Sequence, residues 1–153
     1  SVVTPDPEPD PEVPETPTLF GTNLGSAVKS GTAVEELAPE GYEKVYGEAF
    51  NQADTAYLFA EIDISGYSQL KFKAKGSVGT YLGNMEGYIG LSTDWREVIL
   101  TNNNDGTFTV TVDGYGDTFT RTATTLKDMF EFTMWQSEAG TLYTTEIRGV
   151  VKA

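Results

Sequence analysis

Gln69-Leu70-Lys71-Phe72-Lys73-Ala74-Lys75 sets an apolar residue at Leu70, Phe72 and Ala74 and a lysine after each of them. Successive side chains of an extended chain point to opposite sides, so this stretch predicts a β-strand with one apolar and one charged face. Working outward, the same period of two recurs. Phe108, Val110 and Val112 oppose Thr107, Thr109 and Thr111, while Phe130, Phe132 and Met134 oppose Glu131, Thr133 and Trp135. Near the C-terminal end Tyr143, Ile147 and Val151 oppose Thr144, Glu146 and Arg148. Clean alternation belongs to antiparallel sheets with one buried and one wet face. Two such sheets, apolar faces together, make an all-β, two-sheet antiparallel β-sandwich.

Runs rich in Thr, Val, Ile, Phe and Tyr predict strands over Glu43–Phe50, Ala56–Ile62, Gln69–Lys75, Gly87–Leu91, Glu97–Thr101, Thr107–Val112, Phe130–Gln136 and Thr141–Val151, with a weaker one in Ala33–Leu37. Ser65-Gly66, Asn104-Asp105-Gly106, Asp113-Gly114 and Ala139-Gly140 carry turn chemistry. One helical turn is expected around Thr125–Met129, and no internal repeat is present.

The first eighteen residues differ from all this. They hold six of the seven prolines, with Asp6, Glu8, Asp10, Glu12 and Glu15 between them and no basic residue. Proline fixes φ and removes an amide donor, and like charges repel, so residues 1–18 are expected to stay extended at roughly 3 Å per residue. They read as an interdomain linker, the alternative being a tail without connecting function. Residues 19–153 then form one domain, cut from a longer polypeptide with covalently linked neighbouring domains. No apolar run approaches the ~20 residues of a membrane helix, so no membrane insertion is expected.

Charge and missing residue types exclude much chemistry. Removing the five acids of the linker from a net charge of −13 still leaves −8, which argues against nucleic acid and anionic membranes as partners. The chain has no cysteine and no histidine. Disulfides, thiolate metal sites, imidazole ligands and Ser-His pairs are therefore out of reach. The domain has eighteen acids, yet no pair of them is marked by a motif for glycoside hydrolysis, and no enzyme is expected.

Trp135 shares the polar side of its strand with Glu131 and Thr133. An exposed indole forgoes a large apolar burial, so it needs a partner: a sugar ring stacked on it, or a loop under which it folds back at the sandwich edge. Parity also sets Tyr88 against Ile89, and Tyr42 and Tyr46 against Val45. Tyr81 and Tyr115 stand in glycine-flanked loops. Singly each tyrosine reads as a packing residue with a wet hydroxyl; together they read as an aromatic surface. Trp95 is expected to close one end of the core. Lys71, Lys73 and Lys75 would guard an edge strand against aggregation, or take an acidic polysaccharide. Asn102 to Gly106 fits a hairpin turn better than a calcium loop.

Three stretches carry a resemblance: Ile62 to Gly76 with its strand, small turn and strand; Asp94-Trp95-Arg96-Glu97-Val98; and the closing Gly140 to Val150. They resemble the jelly-roll carbohydrate-binding modules attached to secreted bacterial glycan-degrading enzymes and cell-surface proteins, and cover about a third of the domain. The resemblance implies a jelly-roll sandwich that binds a polysaccharide or oligosaccharide without catalysis, as a monomeric module outside the cell, secreted or on a bacterial surface. Trp135 would be the principal platform, Tyr88, Tyr46 and Tyr115 its companions, and Glu131, Gln136 and Arg148 the polar partners. No cofactor is required. A structural calcium is implied, with Glu146 standing where those modules offer an aspartate and Glu36 or Glu43 opposite. The rival expectation is a structural or adhesive spacer that binds no glycan.

Overall fold

The computed structural model describes residues 20–50, 58–76, 80–84, 86–112, 118–134 and 140–153. The protein is mostly β, with antiparallel sheets packed as two layers. Its elements are β1 (Thr22–Ser26), β2 (Ala33–Val34), β3 (Val45–Phe50), β4 (Tyr67–Lys75), β5 (Thr80–Asn84), β6 (Gly87–Gly90), β7 (Arg96–Asn102), β8 (Thr107–Val112), β9 (Thr118–Thr122), α1 (Leu126–Met129), β10 (Phe132–Met134) and β11 (Gly140–Val151). The large sheet runs β2-β3-β11-β4-β7-β8-β9, with β1 also on β11, and the small sheet runs β10-β5-β6. Among the described residues no helix is long and apolar enough to cross a membrane.

The alternation that predicts β4 and β8 is reproduced side chain by side chain. Leu70, Phe72, Ala74, Phe108, Val110 and Val112 are buried, while the lysines and threonines between them are half-buried on the outer face. The β7–β8 connection is the expected hairpin turn. Asn104 (φ 62°) and Gly106 (φ 89°) adopt the left-handed conformation that Asn and Gly tolerate best. Asp105 accepts the Thr107 N–H at 2.9 Å and clamps the exit.

Opposite the large sheet lie Leu82 and Ile89 of the small sheet, Leu126 and Met129 of α1, and the irregular segment bearing Leu58, Phe59 and Ile64. Phe59 and Phe130 meet at 4.9 Å between ring centres, and Phe72 from the large sheet stands edge-on to Phe130 at 6.0 Å. The single turn of α1 starts at Thr125, whose hydroxyl accepts the Asp128 N–H while the Asp128 carboxylate accepts the Thr125 N–H. At its far end buried Asn84 donates to the Met129 carbonyl at 2.6 Å, tying the helix to the small sheet.

Several expectations need correction. The strand expected over Ala56–Ile62 is absent from residues 58–62, its first two residues lying outside the described ones. Phe59 makes one bridge to Val28 there. Leu58 and Phe59 are consecutive and both buried, so the alternation of a dry and a wet face fails there. Strands β1, β5 and β9 were not expected. The lysine-bearing β4 lies between β11 and β7, so its lysines do not guard an edge. In β11, Tyr143 faces outward and Leu142 inward, the reverse of the expected parity. The pairing with β4 shifts by one residue between Thr144 and Arg148, a β-bulge. Thr145 fills it, its hydroxyl accepting the Lys73 N–H at 2.9 Å.

Candidate functional site

The bulge decides what the outer face of the large sheet presents. Tyr143 pairs with Lys75 across β11 and β4, and the β4–β7 register that pairs Ala74 with Arg96 brings Trp95 to the other side of Lys75. The result is a cross-strand row Tyr143–Lys75–Trp95 on one face. The Lys75 ammonium lies 4.7 Å from the centre of the Trp95 ring and 5.7 Å from that of Tyr143, and pairs with the Glu36 carboxylate. Beside this row opens a cleft of about 380 Å³ lined by Lys75, Gly76, Thr93, Thr141 and Tyr143. That volume lies within the range of small-ligand sites. Row and cleft together bring two aromatic rings, the hydroxyls of Thr93, Thr141 and Tyr143, the Lys75 ammonium and the Glu36 carboxylate into one neighbourhood of apolar surface, donors and acceptors.

Glu36 belongs to the chain between β2 and β3, which crosses the outer face as a strap. Three further contacts hold it. The Glu146 carboxylate, fully buried, accepts the Glu43 N–H at 3.1 and 3.0 Å on its two oxygens and the Lys44 N–H at 3.0 Å. Arg148, 5% exposed, donates Nε to Glu146 at 3.0 Å and pairs with Glu43 at 3.2 Å. The Tyr42 hydroxyl donates to Glu97 at 3.4 Å. Burial first, then the Glu97 charge and hydrogen bond, hold that phenol protonated well above its ordinary range.

The strap inverts one expectation. Val45 is fully buried beneath it on the outer face, while Tyr46, in register with Thr144, packs half-buried against the core. Parity alone sets Tyr46 on the wet side, because a pattern of residues does not reveal that a loop covers a face. The other expected residues do not gather. Tyr88 is 49% exposed on the small sheet, where Tyr81 meets it edge to face at 5.4 Å. Glu131 is paired with Arg121 of β9 at 2.9 Å. Arg148 and Glu146 are together, but inside the strap's anchorage and away from water. Trp135, Gln136 and Tyr115 lie outside the described residues.

Calcium does not fit Glu146. Both its oxygens take N–H donors and a guanidinium balances its charge. The suggested opposing acids are engaged too, Glu36 with Lys75 and Glu43 with Arg148. Among the described residues no three His, Cys, Asp or Glu side chains cluster as metal ligands would.

The sequence pattern alone does not point to Tyr143, which parity turns inward, to Trp95, which reads as closing the core end, or to the Lys75–Glu36 pair. The outward parity of Lys75 was the one available signal. Comparison with protein-family profiles, characterised proteins and solved structures finds no match to this chain.

Proposed function

We propose that this domain is a non-catalytic carbohydrate-binding module of jelly-roll type that holds a polysaccharide by stacking sugar rings on aromatic side chains. The cleft beside Tyr143, Lys75 and Trp95 carries the reading. A pyranose is an amphipathic disc, with C–H faces that lie on aromatic rings and hydroxyls at its edge that need both donors and acceptors. This cleft offers both, partly open to water. The adjacent first and last strands, β1 and β11, support the jelly-roll arrangement. The half-exposed Tyr88, backed by Tyr81, is a further aromatic surface on the other layer.

The binding requires no cofactor and no proton shuttle, in keeping with a chain that lacks histidine and whose acid at Lys75 is held in an ion pair. The domain acts outside the cell, secreted or on a bacterial surface, as a monomer that tethers its neighbouring domains to the polysaccharide. The modest affinity of one shallow site is raised by tethering.

Affinity electrophoresis against a panel of soluble polysaccharides tests this. Tyr143→Ala and Trp95→Ala should each weaken retention on the bound polymer about tenfold, the loss of about 1.4 kcal/mol of stacking and burial. Their unfolding midpoints show that each variant still folds. Retention unchanged in both, or no polymer retained by the wild type, leaves a structural spacer.

A further inference from the structure

We infer that Glu36, reaching Lys75 from the strap, sets the class of sugar the cleft accepts: it cancels the Lys75 charge, so the cleft takes neutral glycans and turns away uronate- or sulfate-bearing ones. The inference rests on the glycan-binding reading above and names its substrate class. A lysine beside two aromatic rings would by itself attract a carboxylate-bearing sugar. Here the ammonium is already paired, and its side chain and that of Glu36 remain 21% and 32% exposed. A pair open to water in this way adds little to stability. Its effect on the local potential is larger, because an incoming carboxylate meets Glu36 at the very group that would bind it.

The surroundings do not restore a positive field. Glu43, Glu97 and Glu146 stand on the same face as Lys71, Lys73, Lys75 and Arg148. Arg148 is engaged by Glu146 and Glu43, and Lys73 faces Glu97 across the β4–β7 pair. The Lys71 ammonium lies 4.3 Å from the centre of the Phe20 ring, away from the cleft's row. A neutral sugar, by contrast, finds the ammonium and the carboxylate as a ready donor and acceptor, with the Thr93 and Thr141 hydroxyls nearby.

Glu36→Gln keeps the shape of the side chain and removes its charge. The full chain, this variant, Glu36→Gln combined with Lys75→Met, and Glu40→Gln as a charge control on the same strap are compared. The probes are a panel of neutral polymers (xylan, mannan, mixed-linkage glucan) and de-esterified polygalacturonate. The wild type is expected on a neutral polymer and not on polygalacturonate. In Glu36→Gln the ratio of polygalacturonate to neutral binding should rise about tenfold or more at about 0.01 M salt and vanish at about 1 M, where the screening length falls from roughly 30 to 3 Å. Lys75→Met should abolish the gain, and Glu40→Gln should produce none. The inference is overturned if the wild type binds polygalacturonate as well as any neutral polymer. It also falls if Glu36→Gln gains nothing, if the gain survives Lys75→Met, or if Glu40→Gln matches it. Those outcomes leave glycan binding standing, whereas failure of the wild type to retain any polymer removes both readings.

Discussion

Glu146→Ala should lower the unfolding free energy by about 3–5 kcal/mol, the cost of breaking a buried ion pair by removing one partner. The carboxylate is fully buried and bound by two strap amides and Arg148. Its loss strands the guanidinium in a site 5% exposed, with Glu43, itself half exposed, as its remaining acid, and leaves both amides without an acceptor. Urea unfolding at neutral pH reads the loss as a lower midpoint. Replacing both ends together, Glu146→Leu with Arg148→Met, should cost less than the sum of the single changes, because no charge is then left buried alone. A loss under about 1 kcal/mol for Glu146→Ala would mean that the strap is held by other contacts.

Phe130→Ala is expected to cost about 4 kcal/mol. Phe130 follows α1 directly and is fully buried, in contact with three rings at once: Phe59 at 4.9 Å, Phe72 at 6.0 Å and Phe119 at 6.2 Å. It joins the large sheet, through Phe72 and Phe119, to the irregular half of the opposite layer. Rings held in place by both layers have little freedom to move into the space, so the cavity should close poorly. The same urea experiment reads it. A cost below about 1.5 kcal/mol would show that the irregular layer collapses readily onto the sheet.

What the sequence revealed follows from where local pattern and tertiary environment agree. Strands β4 and β8 have one dry and one wet face throughout, so period two is enough to place every side chain on them. The helical turn at Leu126–Met129 was legible because Thr125 and Asp128 cap it locally. Strand β1, with Gly25 inside it, and the five-residue β5 and β9 show too little periodicity to stand out. In β11 nothing about Thr144-Thr145-Glu146 announces a bulge, yet the extra residue reverses the face of Tyr143. The strap is likewise invisible to alternation: Val45 and Glu146 lie on an outer face that becomes interior only when the chain leading into Val45 folds back over it, about a hundred residues away in sequence from Glu146. That is why Arg148 and Glu146 read as surface groups and turned out to be anchors. At the candidate site Lys75 was placed on the correct face, and Tyr88 was expected to be exposed and is. The row Tyr143–Lys75–Trp95 needed the register of three strands to become visible.

The aromatic row should be where sugar lands. Titrating neutral oligosaccharides into the ¹⁵N-labelled domain and following the indole N–H signals together with the amides of Gly76, Thr93 and Thr141 locates the contact residue by residue. The account predicts saturable shifts at the Trp95 indole and at those three amides, with Tyr143→Ala reducing them. A glycan that binds while leaving all four signals in place would contradict it, as would a complete panel of sugars that moves none of them.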